Sequence, residues 1–277
     1  MDKLLFGTAG IPFCTKERNT INGVLQVKEL GLDAMELEFV RSVNITKEKA
    51  QEVKKTAGEN EIILTCHAPY FINLNSDDKT KVNASIKRIV DSARALNFCG
   101  GWSVCFHPGF YMKIEKEKTY ETVKKNLKET INQIKNEGIN LWIRPETTGR
   151  ATAFGDIYEL IKLSTEFDNV LPCIDFAHLH ARSCGKFNTT EEFKEVLCRV
   201  EKQLGKKALE NMHIHLAGIN YGAKGELNHL ELKKSDMNYK ELFKVWKEFK
   251  IKGIVISESP NIEKDAILMK EEYEKCK

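Results

Sequence analysis

Eight short apolar runs, each separated from the next by a longer stretch of helical character, constrain this chain more than any other feature. They are LLFGTA (4–9), AMELEF (34–39), IILTCHA (62–68), WSVCFHP (102–108), NLWIRPE (140–146), VLPCIDFA (170–177), NMHIHLAG (211–218) and GIVISES (253–259). Enrichment in β-branched and aromatic residues marks them as strands, and near-continuous apolarity fits strands buried on both faces of a parallel sheet. Stretches such as TKEKAQEVKKTAG and TYETVKKNLKETINQIKNEG read as amphipathic helices. Asn or Gly marks helix ends at NEG (136–138) and LGLD (30–33). Strict βα alternation eight times over predicts an α/β fold: a closed (β/α)8 barrel of the TIM type, one domain spanning 1–277. An open doubly wound sheet is the competitor, but it would carry a glycine-rich first turn, and GTAGIP is not GxGxxG.

Composition narrows the function classes. Hydrophobic residues make up 42% and charged residues 30% of the 277, which suits a soluble protein with a sizeable core. A net charge of +3 permits an acidic partner such as nucleic acid without arguing for one. The eight cysteines form no CxxC pair, and several sit inside apolar runs, as reduced thiols of a cytoplasmic protein would. The start, MDKLLFGTAG, lacks the long apolar stretch of a signal peptide, and no run reaches the length of a membrane span. The expectation is a cytoplasmic protein with no membrane partner.

In a barrel of this kind the active site is built at the carboxyl ends of the strands. The polar residues expected there are His67, His107, Glu146, Asp175, His178, His213, His215 and Glu258, with Glu226 and His229 on the long loop after the seventh run. All seven histidines fall at or just beyond strand ends, and none is expected in a helix. One such histidine alone is more often a packing residue. Seven together are not explained that way, because independent packing roles would scatter them. Histidine plus carboxylate suits zinc or manganese. A catalytic zinc takes about three protein ligands, so this number of candidates implies two or three ions, with a carboxylate such as Glu146 bridging. Clustered metals suit phosphate-ester hydrolysis, since they generate hydroxide near neutral pH and stabilise the attacking and leaving oxygens.

HAPYFINLNS, FHPG, PETTG, CIDFAH and ISESP resemble, in order and spacing, the motifs of the endonuclease IV family, metal-dependent apurinic/apyrimidinic endonucleases on a TIM barrel. The resemblance runs from the first strand to the last. It implies a first metal on His67, His107 and Glu146, and a second sharing Glu146 and adding Asp175, His213 and Glu258. A third would sit on His178 and His229, with Glu226 in reach. It also implies hydrolysis of the phosphodiester 5′ to an abasic site in double-stranded DNA. Glu146 would be the bridging catalytic residue, zinc (or manganese) the cofactor, and a monomer would suffice. Tyr70 and Phe71 stand where the family inserts a wedge into the minor groove, and Arg41 could contact a phosphate. His180 has no role in this scheme and is expected in a supporting or surface position.

The chain departs from the family in three places. Thr8 stands where many members have a histidine, VRSVNIT lacks the expected basic pattern, and the family's D-x-H appears as Glu226-Leu-Asn-His229. Two other readings compete. A sugar isomerase or epimerase of the xylose isomerase-like superfamily would bind one ion through Glu146, Asp175, His213 and Glu258. A silent DNA-damage binder would keep the site without turnover.

Overall fold

A computed structural model describes residues 1–276. The eight expected strands form: β1 (Leu4–Ala9), β2 (Ala34–Glu38), β3 (Ile63–His67), β4 (Ser103–Phe106), β5 (Trp142–Pro145), β6 (Cys173–Asp175), β7 (Met212–Leu216) and β8 (Gly253–Ser257). All neighbours pair in parallel, in the order β5-β4-β3-β2-β1-β8-β7-β6. Between β5 and β6 only isolated bridges close the ring, Ile143 with Val170 and Glu146 with Cys173. Pro172 lies between those bridges and has no N–H to give the ladder.

Helices α1 (Thr20–Glu29), α2 (Lys47–Glu59), α3 (Lys79–Phe98), α4 (Lys116–Asn136), α5 (Ile157–Ser164), α6 (Thr190–Leu204), α7 (Tyr239–Glu248) and α8 (Glu263–Lys275) surround the strands. The expected stops hold: Gly31 and Gly138 follow α1 and α4 with φ of 68° and 71°, a conformation glycine adopts without strain. Asp156 with Glu159, and Thr189 with Glu192, form capping boxes that start α5 and α6. Outward-facing strand residues such as Phe6, Leu64, Val104, Ile143, Ile174 and Ile214 join the helices in one large core.

The barrel interior is divided. Its β1 and β8 sector, with Ala34 at the start of β2, packs Ile254 and Ile256 against Leu5, Ala9, Ile63 and Trp102, while Glu36 further along β2 is buried and polar. Thr65, Ser103, Arg144, Glu146, Asp175, His213 and His215, all buried, fill the rest with polar groups.

Two elements beyond the eightfold repeat shape the mouth. A short helix, Phe176–Arg182, begins where β6 stops, because the Asp175 side chain caps it by accepting from His178 N at 2.7 Å. His178 and His180 therefore lie in a helix, against the expectation that no histidine would. The second element is an antiparallel hairpin, Gly218–Gly222 with Gly225–Leu230.

Candidate metal centre

Glu146, at the carboxyl end of β5, is fully buried, and each of its oxygens meets two imidazoles. Oε2 lies 3.1 Å from Nε2 of both His67 and His107, and Oε1 lies 3.2 Å from Nδ1 of both His178 and His215. Burial opposes ionisation here. The His107 and His215 rings outweigh it and hold the carboxyl well below the ordinary range. Around Oε1, Glu258 Oε1 stands 3.2 Å from His215 Nδ1, and Asp175 Oδ2 is buried with no hydrogen-bond partner. The caging carboxylates explain its direction: burial, then Glu258 and Glu146, push the Asp175 carboxyl well up although His178 opposes them.

The histidines are held so that one nitrogen is spoken for and the other faces the site. His67 Nδ1 lies 2.7 Å from the Ala68 carbonyl and His178 Nδ1 lies 2.9 Å from the Thr147 carbonyl. His229 Nδ1 lies 3.3 Å from the Glu258 carbonyl. A carbonyl only accepts, so each Nδ1 carries the proton and each Nε2 points inward, as supported metal ligands do. His178 Nε2 and His229 Nε2 then face one another at 3.3 Å, with Glu226 Oε2 3.7 Å from the former. Two facing nitrogens need a shared proton or a cation between them. Burial, ahead of the opposing pull of Glu258, holds His229 below its ordinary pKa, which favours a bare lone pair there.

The hairpin explains how Glu226-Leu-Asn-His229 replaces a shorter spacing. In a regular strand, residues three apart point to opposite faces. The pairing shifts between Tyr221–Glu226 and Asn220–Asn228, so Leu227 is extra and bulges out, 59% exposed. Glu226 and His229 consequently share the face of Tyr221 and Ile219. Gly149 lets this face close over the site: a Cβ there would fall 2.6 Å from Glu226 Oε2 and 3.0 Å from His178 Cδ2. His180 is buried beneath the hairpin, not at the surface, with Nε2 3.1 Å from Asp236 Oδ1 and its ring edge-on to Tyr221.

One expected ligand is misplaced by sequence reasoning. His213 lies one layer below the mouth, its Nδ1 2.7 Å from Ser103 Oγ and its Nε2 3.2 Å from Glu36 Oε2. The β7 histidine that meets Glu146 and Glu258 is His215, two residues further along the same inward face. Two carboxylates went unmarked, Glu36 and Glu38 on β2. The second of these lines the mouth and has a buried oxygen without a partner. Burial and the nearby Glu36 push the Glu38 carboxyl up to about 8. The i, i+2 pair of glutamates inside an otherwise apolar run was the available signal.

The mouth encloses about 310 Å3 lined by His67, His107, His178, Glu226, His229 and Glu258, among others, and Tyr70 stands at its wall with its ring 5.4 Å from His67. Phe71, next to Tyr70, is 64% exposed, and Arg41 is exposed on the β2 loop. Clusters such as Asp175, His178, His229 and Glu258, or His107, Glu146 and His178, bring ligand atoms within 4.8 Å of one another. The donor set and the orphaned Asp175 oxygen fit divalent cations, and the arrangement is a metal-binding site of the kind enzymes use. Among the described residues no helix is long and apolar enough to cross a membrane.

Comparison with known proteins bears on the family and the fold. The chain is 46% identical over 270 residues to an uncharacterized protein of Methanocaldococcus jannaschii, covering 98% of this chain and 97% of that one. It is 26% identical over 216 residues to a probable endonuclease 4 of Mycoplasma genitalium, covering 76% of this chain and 71% of the relative. Among solved structures, endonuclease IV from Thermus thermophilus superposes with a TM-score of 0.74 at 15% identity, over 97% of this chain and 100% of that one. A D-tagatose 3-epimerase-like protein superposes with a TM-score of 0.73 at 19% identity, over 96% of each. At such identities the superpositions speak for the fold alone. The family model described as xylose isomerase-like TIM barrel matches residues 24–275, and the chain belongs to that family.

Proposed function

We propose that this chain is a multinuclear metal-dependent phosphodiesterase that incises double-stranded DNA 5′ to abasic sites. The observation that carries the reading is the set His178, His229 and Glu226, poised around a point that a mononuclear sugar enzyme would leave without a use. His67, His107 and Glu146 Oε2 would hold one ion. Glu146 Oε1, Asp175, His215 and Glu258 would hold a second, and His178, His229 and Glu226 a third. Bound there, zinc or manganese would supply hydroxide near neutral pH and neutralise charge building on a phosphoryl group. The protein's own share is positional. Glu146 would reach two ion sites, one with each oxygen, while the backbone carbonyls of Ala68, Thr147 and Glu258 fix three imidazoles and Tyr70 walls the mouth. Phe13, Val40, Tyr70, Phe71, Phe110, Met112 and Leu227 stand exposed on the loops around that mouth. Such a rim suits a macromolecule, with Tyr70 and Phe71 as a wedge against base steps and Arg41 at a phosphate.

A mononuclear sugar epimerase is the second reading, and one observation favours it. Glu146, Asp175, His215 and Glu258 alone complete a four-ligand set, and the Glu38 carboxyl lining the same mouth could exchange hydrogen bonds with sugar hydroxyls. The test uses duplex DNA carrying one tetrahydrofuran abasic analogue, which cannot undergo β-elimination. Chelator-sensitive cleavage just 5′ of the analogue, leaving an extendable 3′-hydroxyl, is expected. Intact DNA with fully metallated protein that interconverts ketoses would overturn the endonuclease reading in favour of the epimerase.

A further inference from the structure

Beneath the mouth lies a second group of donors, of which the proposed reaction uses only His215, and that through its other ring nitrogen. Glu36, His213 and His215 are all fully buried inside the barrel. Glu36 Oε1 lies 2.9 Å from His215 Nε2, and Glu36 Oε2 lies 3.2 Å from His213 Nε2. Close as these contacts are, Glu36 Oε1, His213 Nε2 and His215 Nε2 each lack an aligned hydrogen-bond partner. Orphaned polar atoms at zero exposure are costly, and three converging on one point call for something between them. One ligand atom from each of the three residues lies within 4.8 Å of the others, close enough to share a common ion.

The remaining atoms of these residues are supported from outside. Thr65 Oγ1 donates to Glu36 Oε2 at 2.8 Å, and Ser103 Oγ meets His213 Nδ1 at 2.7 Å, which leaves Nε2 turned inward. Outer hydrogen-bond partners of this kind orient metal ligands. Cys173 pairs in register with His213 on the next strand, and the donor atoms of Cys173, Cys105 and His215 lie within 4.8 Å of one another.

We propose that Glu36, His213, His215 and Cys173 form an interior cation site, one layer below the mouth and joined to it through His215, that takes a zinc-like divalent transition metal. One carboxylate, two imidazoles and a thiolate select zinc over magnesium or calcium, which prefer oxygen alone. Its ligands are fully buried, so its role is structural. His215 presents Nε2 to it and Nδ1 to Glu146 and Glu258, so with both ions bound the ring would be an imidazolate bridge, its remaining ring proton released as the metals bind, and the interior ion would fix the ring that the mouth uses.

The experiment counts zinc per full-length chain after reconstitution and removal of loose metal, in the wild type, His213→Gln and a Glu226→Gln/His229→Gln double variant. The wild type is expected to hold one more ion than His213→Gln, and the double variant is expected to keep that interior ion while losing one at the mouth. Cobalt-loaded protein supplies a second readout that does not depend on His213→Gln folding: a thiolate-to-cobalt charge-transfer band, absent in Cys173→Ser. Equal ion counts in folded wild type and His213→Gln, or no such band in the wild type, would overturn the interior site and leave Glu36 and the two histidines as an ion-paired core. The count is independent of DNA incision, so an inactive chain that still holds the interior ion would refute only the endonuclease reading.

Discussion

The two sectors of the barrel interior hang on the same parallel strands yet are stabilised in opposite ways. On the β8 and β1 side, Ile254 and Ile256, with Ala34 at the foot of β2, fill space against Leu5, Ala9 and Ile63. Across the axis, the β3 to β7 side buries Glu146, Asp175, His178 and His215 at nearly zero exposure. Apolar burial there would be favourable by itself, whereas a buried carboxylate cluster destabilises a fold unless cations compensate it. The contrast teaches that one sector sets the barrel's shape and the other carries a charge arrangement that the fold tolerates for the sake of binding.

Substitutions on each side should therefore fail differently. Glu146→Gln removes the carboxylate that four imidazoles share. Incision is expected to fall by at least about a hundredfold, the scale for losing one preorganised charge-stabilising group, while the circular dichroism spectrum stays that of a folded barrel. Full activity in that variant would remove Glu146 from the mechanism. Ile256→Ala, on the apolar side, should cost about 2–5 kcal/mol of folding stability in denaturant titration, with ion content per folded chain unchanged. A loss of metal in that variant would mean that the two sectors are not separable.

Gly149→Ala probes the seam where the hairpin closes on the polar side. Its methyl would crowd Glu226 Oε2 and His178 Cδ2, so affinity for the ion at His178 and His229 should drop roughly tenfold to a hundredfold, while the ion at His67 and His107 is retained. Competition with a chelator measures both. The smallest expected effect is that of pH on metal-free protein. Burial opposes protonation of His67, yet Glu146 raises it to about 10, against about 6.5 in an unfolded chain. A raised histidine contributes stability that is fully present below about pH 6.5 and is lost as pH climbs towards 10. Thermal melting of stripped protein should decline across that window, whereas metal-loaded protein, whose ligands must be deprotonated, should not. A flat profile for the stripped form would contradict the histidine–carboxylate pairing.

Much of this was legible in the chain. Eightfold alternation specified the barrel because the period of apolar runs is a backbone property that tertiary packing reinforced. Strand ends were drawn too long where side chains intervened: the run through 177 stops at Asp175 because that carboxylate caps the next helix. The placement of His213 failed for a different reason. His213 and His215 lie on the same face of β7, and alternation reveals face but not depth along the barrel axis. Glu36 and Glu38 were hidden by the apolar run around them. The bulge at Leu227, which turns a mismatched spacing into a shared face, depends on cross-strand register that no local pattern reports.

Anomalous diffraction at the zinc edge, from crystals of the metal-loaded chain, tests the account most directly. It should show ions on both sides of Glu146 and a further peak between His178 Nε2 and His229 Nε2, within reach of Glu226. A single mouth peak held by Glu146, Asp175, His215 and Glu258, with nothing between those two histidines, would contradict the multinuclear site and move the assignment to the sugar epimerase.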